Sequence, residues 1–342
     1  MTNRLLKKFL LLLVGVLIVT LGISWFRVSR ASTTFYYQPT DLGTLVGYDS
    51  SYAFGINDLG QVVGWSYNAN LQGHAFLWQN SNNLTDLGTL PNKETSIAYA
   101  INDAGEVIGS SSSFGESQLA FSWKNGTIRQ LSTLPGGQEG SAANDINNAG
   151  EIVGYAKTAS VIHAVLWNDN NITDLGGLDN NGSQGLGINE KGEIVGRGTY
   201  VINNSTGSHA ILWDKKGTIT DLTPQAPSSS ARRINKKGTV LIEAYPDYLL
   251  RKGEITELGN IEALDLNDKE KVVGYRFNSN FNSIAVLWEE GTITDLNDLL
   301  PPNSGWRLST ASAINNNGQI AGYGYHNDQP RAFLLTPVRV TR

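Results

Sequence analysis

Imidazole and carboxylate groups recur along this chain in fixed contexts. His74, His163 and His209 open the phrases HAFLW, HAVLW and HAILW, while Asp86, Asp174, Asp221 and Asp295 share the phrase TDL, joined by Asp41 near the start. General acid–base catalysis needs an asymmetric pair of such groups with separated pKa values. A set repeated at one position per unit fits turn capping and edge hydrogen bonding better. His326 stands outside the series, and the sequence identifies no partner for it. Trp78, Trp123, Trp167, Trp213 and Trp288 also keep one repeat position, as wedges between neighbouring units rather than sugar platforms. The run Asn168-Asp169-Asn170-Asn171 offers oxygens of the kind that bind Ca²⁺, but without an ordered ligand loop it reads as a turn. The sequons beginning at Asn83, Asn125 and Asn171 fall on the same kind of turn. The chain has no phosphate loop, no His-Glu metal helix and no nucleophile elbow. No catalytic residue, metal ligand or cofactor site is therefore expected.

The elements that hold these residues are written as a repeat. The ten residues INDLGQVVGW from Ile56 return in related form from Ile101, Ile146, Ile188, Ile234, Leu266 and Ile314. Their Asn stands at 57, 102, 147, 189, 235, 267 and 315. Each unit reads as four short segments, in the first SYAFGIN, QVVGWS, HAFLW and LTDLG. All are rich in β-branched and aromatic residues and bounded by Gly, Asn, Asp or Ser, the signature of strands. HAFLW lacks polar alternation, so both faces of its sheet should be covered. Four strands per unit of about 43 residues, covered on both faces by neighbours, predict the blade of a β-propeller. The last unit ends at RAFLLTPV without its fourth segment, and an orphan fourth segment, FYYQPTDLGTL, stands at 35–45. The expected architecture is all-β: a seven-bladed propeller of four-stranded blades, closed by the N-terminal strand completing the last blade. Within the phrase, Asn-x-x-Gly is a tight turn between the first two strands, with Gly supplying a positive φ. In the sixth unit Glu270 stands where Gly is expected, so that turn must strain or rebuild.

These phrases, recurring in fixed order over residues 40–335, resemble the extracellular HAF-repeat family, named for His-Ala-Phe as in His74-Ala75-Phe76. The resemblance implies an exported repeat protein and supplies no catalytic residues. The fifth unit departs from it, with Tyr248-Leu249-Leu250 in place of the HAFLW segment.

Composition agrees with this reading. The 342 residues are 40% hydrophobic and include 37 glycines, with no sustained helical period after residue 31. Cysteine is absent, which excludes disulfides and thiolate chemistry. Arg4, Lys7 and Lys8 precede an apolar run, Phe9 to Phe26, followed by Ser29-Arg30-Ala31. That layout predicts an export signal over 1–31, cleaved or retained as a single membrane span through 9–26, ahead of a propeller over 32–342. Five of the 26 Lys/Arg and none of the 31 Asp/Glu precede residue 32, leaving 21 bases against 31 acids, a formal −10. A body that acidic is not expected to bind nucleic acid.

Function is then sought where the repeat is broken, because loops carry recognition on a fixed scaffold. Letting A to D denote the four strands of a blade, the D–A and B–C connections share one face of the ring. The longest D–A connection holds Pro301 to Arg307. Its Trp306 lies outside the repeated Trp series beside Arg307, a pairing favoured at binding hot spots. The B–C connection of the fourth unit is expanded and contains Tyr200. An ordinary long surface loop is the competing reading of the same residues. The expected function is an exported, non-enzymatic scaffold binding a protein or glycan on this face through Trp306, Arg307 and Tyr200. The alternative is a propeller-type polysaccharide lyase or glycosidase, recognisable by convergent, non-repeating titratable groups in the central funnel.

Overall fold

The short β-branched and aromatic segments pair as the repeat requires. The computed structural model describes residues 33–80, 84–137, 140–169, 171–202 and 205–341; the apolar segment 9–26, Asn83 and Asn170 lie outside them. Residues 36–338 form one unit, described here, whose outermost strands run on to 33 and 341. It holds seven four-stranded antiparallel sheets. The first comprises Ser50–Ile56, Val62–Tyr67, Gly73–Trp78 and Thr85–Asp86 as strands A to D. Strand A of the later blades is Thr95–Ile101, Ser141–Ile146, Ser183–Ile188, Ser230–Ile234, Glu262–Leu266 and Trp306–Ile314. Blade seven continues with Ile320–His326 and Gln329–Thr341, and Thr33–Asp41 pairs on as its fourth strand. The first strand among the described residues closes the ring, as the orphan segment predicted. Among the described residues the only helical turns are Leu178–Asn180 and Leu296–Leu299, both 3₁₀.

Apolar clusters lie between blades. One joins Val153 and Ala164 of blade three to Ile188, Ile194, Ile211 and Trp213 of blade four. Trp213 is wholly buried and its Nε1 donates to the Leu175 carbonyl at 3.0 Å; Trp167 reaches Ser132 in the same way at 2.8 Å. These indoles are wedges between blades, which also satisfies their single polar atom.

The repeated Asn gives the ring a second, polar closure. Its side-chain amide donates to the backbone carbonyl of the equivalent Asn in the next blade, from Asn57 to Asn102 through every blade and from Asn315 back to Asn57, at 2.9–3.2 Å. Its oxygen accepts the N–H four residues on, as Asn147 does from Glu151 at 3.0 Å, which pins the A–B turn. One residue therefore makes the turn and bonds it to the next. Glu270 adopts φ 63 in place of Gly with the hydrogen bonds of the turn intact, and its carboxylate accepts from Thr239 Oγ1 of the neighbouring blade at 2.9 Å.

Two expected loops prove to be strand. In blade four the added residues extend strands B and C to Ile194–Ile202 and Ser205–Trp213, because Thr199, Tyr200 and Val201 are good strand formers that find partners. Trp306 is the first residue of strand A in blade seven, paired with His326.

Candidate functional site

Every blade carries the same irregularity in strand A. The register slips three residues before the repeated Asn: between Ala53 and Gly55, Ala98 and Ala100, Ala143 and Asp145, Gly185 and Gly187, Ala231 and Arg233, Ala263 and Asp265, and Ala311 and Ala313. A bulge leaves one residue out of the ladder and re-aims its side chain. Here those residues are Phe54, Tyr99, Asn144, Leu186, Arg232, Leu264 and Ser312, a different type in almost every blade. All seven line one axial cavity of about 390 Å³, with Arg233, Tyr275, Thr310 and Tyr323. Thr310 precedes the bulge on strand A, and Tyr275 and Tyr323 lie beyond Gly274 and Gly322 on strand B. The cavity therefore extends toward the D–A/B–C face.

Its wall is divided by chemistry. Tyr323 and Tyr52 lie 4.2 Å apart between ring centroids, Tyr52 and Phe54 6.5 Å, and Phe54 and Tyr99 6.3 Å. Tyr67 and Trp65 extend this belt outward, stacked at 4.2 Å. Burial raises the phenol pKa of Tyr52, Tyr99 and Tyr275, so these groups are neutral hydrogen-bonding rings at physiological pH. The guanidinium of Arg232 and that of Arg233 stand in blade five. Arg232 pairs with Glu243 at 2.9 Å, and its Nε is buried without a partner. Trp65 Nε1 is also a buried donor without a partner.

Below the bulge, Asp145, Arg233 and Asp265 converge, at positions where other blades carry Gly or Ala. Arg233 Nε lies 3.3 Å from Asp265, and its Nη1 donates to the carbonyls of Leu186 and Arg232 at 3.0 Å. Asp145 accepts the N–H groups of Ile146 and Ile188, and Asp265 that of Ile314 in the next blade. Burial pushes Asp145 up to about 6 against the pull of Arg233, and raises Asp265 for the same reason. Both carboxylates thus tie adjacent blades together. At the opposite mouth a smaller axial cavity of about 190 Å³ is lined by the A–B turns. There Asp58, Asp103 and Asp268 each accept a backbone N–H from a neighbouring turn, so these acids act as turn ties. Among the described residues, no group of three His, Cys, Asp or Glu could hold a metal ion. Asn168 pairs with Asn171 across a tight C–D turn in which Asp169 has φ 53.

The residues singled out by loop length do not meet at the funnel. Trp306 packs against the core of blade seven and stacks on His326 at 4.7 Å and 6°. His326 in turn contacts Asp41 of the closing strand at 2.7 Å, giving this histidine the partner that the sequence did not reveal. Trp306, expected as a ligand anchor in a long loop, is therefore packed within the clasp. Arg307 is exposed, 4.1 Å over the Tyr325 ring. Tyr200 donates its hydroxyl to the Pro227 carbonyl at 3.0 Å and lies 4.1 Å from the His209 ring, outside the axial cavity. The repeated histidines contact the repeated aspartates, His74 with Asp86, His163 with Asp174 and His209 with Asp221, at 2.7–2.9 Å. The signal for the bulge residues was a pair of variable positions between a small residue and the Ile-Asn or Leu-Asn of the repeat, AFGIN, AYAIN, ANDIN, GLGIN, ARRIN, ALDLN and ASAIN, the first of the pair varying most.

No protein-family model matches the chain, and no curated protein matches it in sequence. Solved structures do. The β-propeller domain of the Trilobed protease from Pyrococcus furiosus is similar with a TM-score of 0.57 at 9% identity, over 86% of this chain and 98% of that one. The Pyrococcus horikoshii acylaminoacyl peptidase is similar with a TM-score of 0.50 at 12% identity, over 78% of this chain. The match spans only 48% of that peptidase, about half its length. At such identities the likeness establishes the propeller fold alone. The Pyrococcus furiosus domain is described as having an open velcro topology, whereas this ring is closed by its N-terminal strand.

Proposed function

We propose that this chain is an exported, non-enzymatic scaffold that binds a glycan or protein ligand in the axial funnel of its D–A/B–C face. The observation that carries the reading is the bulge. The phrase varies most at the bulge position that projects into the axis, where the seven side chains are Phe, Tyr, Asn, Leu, Arg, Leu and Ser. Packing alone asks for no such variety at a position that leaves the ladder. Rings with in-plane donors and acceptors suit a sugar or a peptide end. Export rests on the basic flank and apolar run of residues 4–26, in keeping with the resemblance to extracellular HAF-repeat chains.

The test is a glycan and peptide array probed with the purified protein, followed by titration of any hit. Tyr99→Ala and Arg232→Ala are expected to weaken binding at least about tenfold, since each removes an anchor worth over about 1.4 kcal/mol. Arg307→Ala, on the rim, should change it little. Binding that survives the Tyr99/Arg232 double variant but fails in Arg307→Ala would move the site to the rim.

A polysaccharide lyase or glycosidase is the second reading, favoured by the convergence of Asp145, Arg233 and Asp265 near the axis. Against it, these carboxylates are engaged by backbone N–H groups of adjacent blades and by Arg233. New reducing ends or unsaturated products released from a polysaccharide, and lost in Asp145→Asn, would establish that reading.

A further inference from the structure

The two faces of the ring differ in what their tips expose. Four B–C connections present a large apolar side chain to solvent: Leu71 (65% exposed), Phe114 (99%), Tyr245 (101%) and Phe281 (85%). In the other three blades a strand residue beside the connection, Ile162, Val201 or Tyr325, is the exposed apolar group that completes the crown. The residues around them are mainly uncharged, as in Asn68-Ala69-Asn70-Leu71-Gln72 and Asn278-Ser279-Asn280-Phe281-Asn282. The opposite face is charged: its A–B turns carry Asp58, Asp103, Glu190, Lys236 and Asp268, and Leu59 is the one large apolar side chain exposed on these turns.

Leu71 and Phe281 are held with φ 60 and 59. The left-handed region favours Gly or Asn, and a bulky side chain there is strained. The other left-handed positions among the described residues hold Gly or a polar residue, such as Gly60, Asn125, Asp169 and Lys252; Leu71 and Phe281 are the two apolar ones. At Leu71 and Phe281 an apolar residue is kept in strain and left in water. Hydrogen bonds to Asn68 and Asn278 hold the two turns, but no contact within the chain covers the side chains, which stand 65% and 85% exposed.

We propose that the B–C crown docks this protein on the surface of a neutral lipid bilayer by shallow insertion of its tips. Single apolar residues on separate hairpins do not build the continuous patch that a rigid protein surface would cover. A fluid interface accepts them wherever they point, and uncharged Asn and Ser beside them can remain at headgroup level. The D–A connections of the same face carry the exposed acids Asp49, Glu94 and Asp298, which oppose anionic lipids and select a zwitterionic surface. This inference does not depend on a ligand in the funnel.

The absence of cysteine permits a direct test on the full chain. Asn70→Cys and Asn280→Cys place single thiols on two tips, and Ala104→Cys places one on an exposed A–B turn of the opposite face. Each would carry an environment-sensitive fluorophore and be mixed with phosphatidylcholine vesicles. The tip labels should shift to the blue, unaffected by added salt, while the Ala104 label stays aqueous. The triple variant Leu71→Asn/Phe114→Asn/Phe281→Asn should abolish the shift without lowering the melting temperature. The proposal is overturned by tip labels that remain aqueous, by a shift at Ala104 instead, or by a requirement for anionic lipid that salt removes. It is equally overturned if the triple variant still shifts, or if the crown proves to mediate a concentration-dependent dimer.

Discussion

Asn147 offers the sharpest measure of what the polar ring contributes. It is 2% exposed, and its side chain makes four hydrogen bonds. Its amide donates to the Asn189 carbonyl at 3.2 Å and to Glu151 Oε2 at 2.7 Å; its oxygen accepts from Ala149 and Glu151 N–H at 3.1 and 3.0 Å. In Asn147→Ala the Asn189 carbonyl keeps Gly192 N–H as a donor, and Ala149 lies at an exposed turn. The Glu151 N–H is left without its partner, at about 1–3 kcal/mol, and the remaining bonds add about 1 kcal/mol net. A loss of about 3 kcal/mol is expected, read from urea unfolding. Asn147→Asp keeps the acceptor for the turn but sets a carboxylate against the Asn189 carbonyl and Glu151. It should be the worse variant at neutral pH and recover on acidification, as protonation restores a donor. Asn148→Ala, at the exposed next position, should fall within about 1 kcal/mol of wild type. If Asn147→Ala unfolds like Asn148→Ala, the ring of amides is an ornament of the turn and the blades are held by apolar contact alone.

Three further outcomes follow from the packing. Deleting residues 33–41 removes the buried Tyr37 and bares the edge of Gln329–Thr341, so melting should drop sharply or the protein aggregate; an unchanged melting curve would show that this strand does not hold the ring. Trp213→Ala, in a fully buried wedge, should cost about 3–5 kcal/mol. Trp306→Ala should cost less yet release His326 and the closing strand to faster proteolysis, and equal losses in the two variants would contradict their different burial. For Asp145, displaced from 3.8 to about 6, the folded chain holds the proton more tightly than the unfolded one. Its contribution is therefore full below about pH 4 and fades as pH rises through about 6, a change of about 3 kcal/mol. Asp145→Asn should flatten that part of the stability profile, and a profile parallel to wild type would refute the assignment.

Blade number, strand order and closure were legible because they are written as repeated residues, and repetition at a fixed period has few structural meanings. The funnel was not, because its residues stand where the repeated phrase varies most: Phe54, Tyr99 and Arg232 look like drift until the bulge is seen. Chain length between landmarks misled for a physical reason. Added residues do not have to become loop, and Tyr200 and Trp306 are strand formers that found partners. The Asp41–His326 contact spans 285 positions, and no local pattern announces a contact that exists only after the ring has closed.

The amide ring also bears on how such a chain could arise and change. In each unit one asparagine gives to the following copy and receives from the preceding one, so every copy carries both halves of the joint. A duplicated unit inserted anywhere in the series would find a fitting neighbour on either side from its first generation, with no compensating substitution. The number of blades is then left to the wedge angle of the sheets. Individual units are free to diverge as long as that residue stays: blade five has lost its Trp and blade six its turn glycine, yet Asn235 and Asn267 still hand the bond along.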